Sequence, residues 1–298
     1  MTWLYIALIA HFLFAIVFIL DKFLLSKISI SPIAYVFYTG ILQILVLFLI
    51  PFGFALIPFK QVIISFISGA LFVFAVYIAY KAIQIGEVSK ITPIIGGGNA
   101  IFTLILTYLF LAERLSFYQF ISFFLLVFGG MIMIWPKKDS SNKGSFNALA
   151  IAILSAFLFA ISFVLTKIIF NYQPFVNGFI WTRLGGVLGA LIILFWPGNF
   201  RKILKTTKEI RLKTGCFLIS NKALSAIAFI LLNYAIFLGS VSLVNALQGV
   251  QYAFLFIVAI IISVKFPQIL KEQISQGVIL QKIMAILLIC FGLGLLAF

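Results

Sequence analysis

The chain has 298 residues, 64% of them hydrophobic and 9% charged, with a mean hydropathy of +1.28. A water-soluble domain carries roughly 45–50% apolar and about 25% charged residues, so this composition excludes one. The formal net charge of +15 then reads as topogenic charge beside a bilayer, and nucleic acid is not expected as a partner.

A bilayer core is ~30 Å thick and takes ~20 apolar residues per spanning helix. Polar punctuation divides the chain into ten such segments, and their lack of period-two alternation predicts an all-α bundle rather than a barrel. The first, residues 3–24, is full length and has no basic leader, so no cleavable signal is expected. It holds the sole histidine, His11, for which hydrogen-bonded packing is favoured over a proton relay. The second and third segments run over 31–51 and 61–85, the third carrying Tyr77 and Tyr80. The fourth, 88–111, contains "ITPIIGGGNAIF" (Ile91 to Phe102). Three glycines here serve close helix approach, with a flexible joint after Pro93 as the less favoured reading. "LAERLS" (Leu111 to Ser116) leads into the fifth segment, 117–135, and a basic linker, 137–145, into the sixth, 146–170. The seventh, 177–196, holds Arg183, read as the basic residue embedded away from both ends of an apolar span. The remaining segments are 212–238, 241–264 and 279–297. Cys216 and Cys290 have no metal or disulfide spacing and read as buried small hydrophobes.

The segments form two copies of one unit. "FLFAIVFILDK" (Phe12 to Lys22) recurs as "FLFAISFVLTK" (Phe157 to Lys167), with eight of eleven positions identical. "GEVS" (Gly86 to Ser89) matches "GSVS" (Gly239 to Ser242), and "LAERLS" matches "LKEQIS" (Leu270 to Ser275). The expected domains are a first repeat, 1–136, the linker 137–145, and a second repeat, 146–298. Five helices per copy make the second enter the membrane from the opposite face, an inverted repeat typical of secondary transporters, with the substrate site near the midplane. Lys22, Lys27, Lys90, Lys137, Lys138, Lys143, Arg201, Lys202, Lys205, Lys208, Arg211, Lys213, Lys265 and Lys271 fall in odd-numbered connections, against Lys60, Arg114 and Lys167 in even ones. By the positive-inside rule the odd connections are cytoplasmic and both termini lie outside.

The repeated first-helix string and the "LAERLS" turn resemble the EamA family of the drug/metabolite transporter superfamily, once per half. The resemblance implies a basket of ten helices around a central cavity, exporting amino acids or other small metabolites across a bacterial cytoplasmic membrane, as a monomer or weak homodimer. Ala100 stands where family members often carry proline.

The repeat register pairs Thr92 with Asn245, Asn99 with Tyr252, and Tyr80 with Asn233. On the fourth helix Thr92, Asn99, Thr103 and Thr107 share one face; on the ninth Asn245, Gln248 and Tyr252 do, with Gln251 beside them. Polar side chains in hydrocarbon tend to face a watery interior, so the expected substrate residues are Tyr80, Asn99, Thr103, Asn233, Asn245, Gln248 and Tyr252. Arg183, six residues into its span, is read first as snorkelling to the outer interface or pairing with a helix end, and joins them as the competing candidate for an anionic group; Tyr77 and Tyr234 are read as further aromatic wall. Glu113 and its repeat partner Glu272 are expected to cap helix starts or to stabilise their N-terminal dipoles. Asp21, Glu87, Glu113, Asp139, Glu209 and Glu272 all read as lying in connections or at helix ends, leaving no mid-membrane carboxylate as an ion carrier. No nucleotide phosphate loop, metal-ligand cluster or catalytic acid pair is present; no cofactor, metal or enzymatic activity is expected. The preferred function is a secondary carrier that exports small metabolites by rocking helices three and four against eight and nine. The competing class is a flippase for lipid or polyprenyl-linked head groups, or an integral membrane transferase.

Overall fold

The computed structural model describes residues 1–27, 31–86, 88–134, 146–209, 212–265 and 276–296. Among these residues it is an α-helical bundle with ten helical stretches long and apolar enough to cross a membrane. Prolines mark several helix starts, where the missing N–H costs nothing. α1 (Thr2–Lys27) is followed by α2 (Pro32–Ile41), with Pro32 in its first turn. α2 tightens into a 3₁₀ stretch, Leu42–Phe52, so that the second span is half α and half 3₁₀. α3 (Phe59–Ile85) begins at Pro58 and α4 (Val88–Phe110) follows. α5 (Phe117–Ile134) opens with a reciprocal capping box: Ser116 N–H donates to Gln119 Oε1 at 3.0 Å, and Gln119 N–H to Ser116 Oγ at 3.3 Å. α6 (Phe146–Tyr172) and α7 (Phe175–Phe195, begun at Pro174) continue the bundle.

The basic connection after α7 is not the plain link expected. It folds into α8 (Asn199–Glu209), which packs against α2 and α7. Phe200, Ile203 and Leu204 fall on one face, with Ile203 buried and basic residues around it, as in a helix lying at a membrane interface. α9 (Leu212–Leu238) is the eighth span, and the ninth is broken into α10 (Val241–Ala246) and α11 (Gln248–Lys265); α12 (Gln276–Leu296) closes the chain.

The sequence repeats are interleaved in space. α1 packs on α9 and α11 of the other half, as α6 packs on α3 and α4; α5 pairs with α12 and the second span with α7. Exchanging the repeats maps each of these pairings onto another or onto itself. Two pairings depart most from the pattern: α5 packs on α10 and α11 whereas α12 and α4 have no extended contact, and α3 and α7 lie in close contact whereas their counterparts, α9 and the second span, have no extended contact.

Small residues make the close pairing possible. A methyl on Gly69 would stand 1.9 Å from the Thr182 carbonyl oxygen, and one on Gly185 2.6 Å from Phe66 Cα. Below this contact Asn177 Nδ2 donates to Gln173 Oε1 (2.9 Å), Gln173 Nε2 to Gln61 Oε1 (2.6 Å), and the Ala55 N–H to Asn177 Oδ1 (3.0 Å). α3 and α6 are tied by a reciprocal pair, Ser68 Oγ to the Ser162 carbonyl and Ser162 Oγ to the Ser68 carbonyl, both 2.9 Å. Such hydroxyl bonds average about 0.6 kcal/mol in a membrane bundle.

Cys216 and Cys290, expected to be buried, are exposed on outer faces of α9 and α12 that no neighbour among the described residues covers. The linker 137–145, "LKEQIS" and Glu87 lie outside the described residues, so the expected cap at Glu272 does too. Glu113 is not a cap: Ser116 and Gln119 take that role. Its carboxyl stands instead near Ser240 and Lys167. Burial raises its pKa above the usual carboxylate value, partly offset by the Ser240 hydrogen bond and the Lys167 charge. Lys167 itself donates to the carbonyls of Ile236, Phe237 and Gly239 at 2.8, 3.2 and 2.8 Å, closing the C-terminus of α9.

Candidate functional site

A cavity of about 530 Å³ lies inside the bundle, within the range of small-molecule sites. Its depth follows from its walls: His11, Gln43 and Asn99 each fall near the middle of a spanning helix. One wall is polar. Asn99 on α4, Asn245 on α10, Gln248 and Gln251 on α11 and His11 on α1 all line it.

The break in the ninth span builds this wall. Leu247 interrupts the helix between Asn245 and Gln248, which leaves the Val244 carbonyl without a helical donor. His11 supplies one, its Nε2 lying 3.1 Å from that oxygen. A carbonyl only accepts, so Nε2 carries the proton and Nδ1 accepts; its neighbour, the Gln251 side-chain amide at 3.2 Å, donates through its NH₂ once that amide is turned. Burying a broken helix end without such a partner costs about 1–3 kcal/mol per group. The packing role expected of His11 thus has a specific form: it completes the break.

Thr103 does not line the cavity. It sits behind Asn99, donating to Asn99 Oδ1 at 3.4 Å and accepting from Asn245 Nδ2 at 3.3 Å, so it orients two residues that do. Thr107 continues the seam outward through Ser242 at 2.7 Å. Tyr252 is also set back: its hydroxyl accepts from Gln248 Nε2 at 3.0 Å and stands against Gly96. Asn233 is buried on α9, donating to the Phe229 carbonyl at 2.8 Å and outside the cavity lining. Tyr80 packs on Tyr35, ring centroids 5.7 Å apart, and Tyr77 lies under Lys81; neither is a lining residue, nor is Tyr234. The aromatic wall consists of phenylalanines, among them Phe72, Phe159, Phe163, Phe179 and Phe229. Residue type misled here, because the face each ring presents is set by helix rotation.

The glycine run serves three neighbours at once. A methyl on Gly96 would meet Tyr252 Oη at 2.5 Å, on Gly97 Met131 Sδ at 2.9 Å, and on Gly98 Ala156 Cβ at 3.0 Å. α4 thereby approaches the ninth, fifth and sixth spans together.

Arg183 is 4% exposed and lines the wall facing the polar one. Nη1 donates to Gln43 Oε1 at 3.3 Å, while Nε has no partner. Phe229, Phe179 and Phe72 surround the guanidinium at 4.6, 5.4 and 5.6 Å. Gly186 leaves room for Gln43, since a methyl there would meet Gln43 Oε1 at 2.1 Å. Among the described residues no carboxylate pairs with Arg183. Desolvating an ion costs several kcal/mol. One long hydrogen bond and ring contacts worth about 0.5–2 kcal/mol offset only part of it.

Sequence reading overlooked a second embedded cation. Lys222 lies within the eighth span and lines the cavity, so Arg183 is not the one basic residue away from helix ends. Lys222 has partners: Asp21 Oδ1 at 3.9 Å, the Tyr35 hydroxyl, and the Tyr35 ring at 3.7 Å. Asn221 Nδ2 also donates to Asp21, at 2.5 Å. The span 212–238 contained Lys222 in plain view, and Asp21 is the penultimate residue of the first repeated string; the long separation in sequence hid the pairing.

Residues 1–135 match the model of the EamA-like transporter family. No curated protein matches the chain in sequence. A solved chain described as "Crystal structure of protein" is similar with a TM-score of 0.72 at 13% identity, covering 98% of each chain; at that identity the likeness is one of fold.

Proposed function

We propose that this chain, whose residues 1–135 match the EamA-like transporter family, is a secondary transporter that exports a small metabolite, of the class of amino acids, by alternating access. The observation that carries the reading is the cavity at mid-depth whose walls come from both sequence repeats: Asn99 and His11 from the first, Asn245, Gln248 and Arg183 from the second. A site shared between repeats is one that their relative motion exposes alternately. The exchanged packing pairs support an inverted repeat, and the asymmetry of α3 and α7 supports a moving part: they are closed, while α9 and the second span meet at Lys222 and Tyr35 without extended contact. In the opposite state the roles reverse, α3, α4 and α6 rocking against α1, α9 and the ninth span. The charge bias of the connections supports cytoplasmic odd loops and outward termini.

The test is uptake of labelled amino acids and related metabolites into inside-out vesicles. Asn99→Leu and Gln248→Leu should abolish it while the amount of folded protein stays near wild type; wild-type uptake in both variants would refute the site. A second reading, a flippase for lipid head groups, is favoured by the gap between α9 and the second span. It predicts scrambling of fluorescent lipids in liposomes instead.

A further inference from the structure

We propose that the occupant of the cavity is an amphipathic anion: a single carboxylate or phosphate held by Arg183 and Gln43, on an apolar body that lies among phenylalanines and enters sideways from the bilayer. The inference deepens the transport reading and rests on it only for what happens after binding.

Charge is the first ground. Two cations line the cavity, Arg183 and Lys222, and Lys222 has Asp21 as its counter-charge. Arg183 has none among the described residues, and its buried Nε is unpartnered. A guanidinium stays protonated in proteins and offers its donors in a planar fork suited to carboxylate or phosphate. An ionised group inside a membrane bundle with no protein partner marks a ligand path. Gln43 approaches only Nη1, so the rest of the fork is left for a ligand.

The walls are the second ground. Beyond the polar face that includes Asn99 and Gln248, the lining around Arg183 is made of aromatic rings without hydroxyls, Phe72, Phe179 and Phe229 at 4.6 to 5.6 Å from the guanidinium. A small hydrophilic anion would leave these rings facing water, whereas an apolar chain covers them.

The gap is the third. The second span and α9 both line the cavity along much of their length without extended contact. The lining residues Phe48 and Ile219, one on each side of this slot, are 76% and 62% exposed, and both fall within spans apolar enough to cross a membrane. The route into the cavity through this slot is apolar, which suits an amphiphile already dissolved in the membrane.

The test uses the purified chain in phosphatidylcholine nanodiscs with Cys216→Ser, Cys290→Ser and Ala226→Cys, Ala226 being a lining residue of α9. The labelling rate of the new thiol by a membrane-impermeant maleimide is read with four probes, each kept below its micelle concentration. Decanoate and decyl phosphate should slow labelling about 10-fold at saturation; decanol and decyltrimethylammonium should not. Arg183→Gln should raise the half-protecting concentration about 30-fold, the loss of one charge-assisted hydrogen-bond set, and Arg183→Lys should restore part of it. Nanodiscs doped with phosphatidate separate the sources: protection there means a membrane lipid, and protection by the soluble anions alone means an amphipathic metabolite. Equal protection by decanol, or protection that survives Arg183→Gln, overturns the proposal. With the same protein in sealed vesicles of defined orientation, labelling reachable from one face only would refute alternating access while leaving anion protection intact, so the two readings fail separately.

Discussion

The α3–α7 seam gives the sharpest single perturbation. In Gly185→Ala the new methyl stands 2.6 Å from both Cα and O of Phe66 and 2.7 Å from the Ser65 carbonyl. All three obstacles are backbone, so no side chain can swing aside, and ordinary contact requires the helices to part by roughly 0.8 Å. Overpacking of this kind costs about 1–3 kcal/mol. If α3 and α7 separate in the opposite state of the transport cycle, that strain exists in one state alone, and the conformational ratio shifts by about 5–150-fold. Thr182 reports it, being fully buried in the seam. With Cys216→Ser, Cys290→Ser and Thr182→Cys, adding Gly185→Ala should accelerate maleimide labelling by a factor in that range. Gly294→Ala on α12, where a methyl meets nothing within 4 Å, should change nothing. An unaltered labelling rate in a stable Gly185→Ala protein would refute the seam as a moving gate.

Gly96→Ala should lower thermal stability in detergent more than Gly97→Ala. The first drives a methyl into the buried Tyr252 hydroxyl at 2.5 Å and Gln248 at 3.2 Å, whereas the second meets the thioether of Met131, a flexible chain that can yield; equal losses would contradict this. Glu113 has a raised pKa, so the folded state binds its proton more tightly than the unfolded chain. Its contribution to stability is full below the ordinary value of 4.5 and is lost as pH rises through the higher folded value. Melting curves across that window should show wild type falling relative to Glu113→Gln as pH rises, and parallel curves would refute the shift. A reporter active only in the cytoplasm should be silent when fused after Phe298 and active when inserted near Lys205; the reverse would invert the orientation and leave the fold as it is.

Most of the architecture was legible because the bilayer imposes one rule on every span. Apolar runs of the right length announce themselves, and the ten observed spans overlap the ten read from sequence. α8 escaped because its basic residues drew attention away from Phe200, Ile203 and Leu204, whose i, i+3, i+4 spacing was the available signal. The 3₁₀ stretch Leu42–Phe52 left only Pro51 near its end as a mark, since a mostly apolar sequence carries little periodicity, and no glycine or proline immediately precedes the break at Leu247. Within the site, the polar stripe of α4 was read correctly as one face, but its depth was not. Asn99 reaches the cavity, and Thr103, one turn further on, is sealed behind it by Asn245. Gln43 was unremarked because its meaning comes from Arg183, 140 residues away. Pairings across the repeats are set by helix rotation and tilt, which residue type does not encode.

Alternating access to the shared cavity is the central claim, and it can be measured without knowing the substrate. With both native cysteines replaced by serine, Gln248→Cys places one thiol on the polar wall of the cavity, in vesicles of defined orientation. An impermeant maleimide is then applied from one face and, in a parallel sample, from the other. The account predicts labelling from both faces, with Gly185→Ala raising the rate at one and lowering it at the other. Labelling confined to a single face, and insensitive to Gly185→Ala, would contradict it.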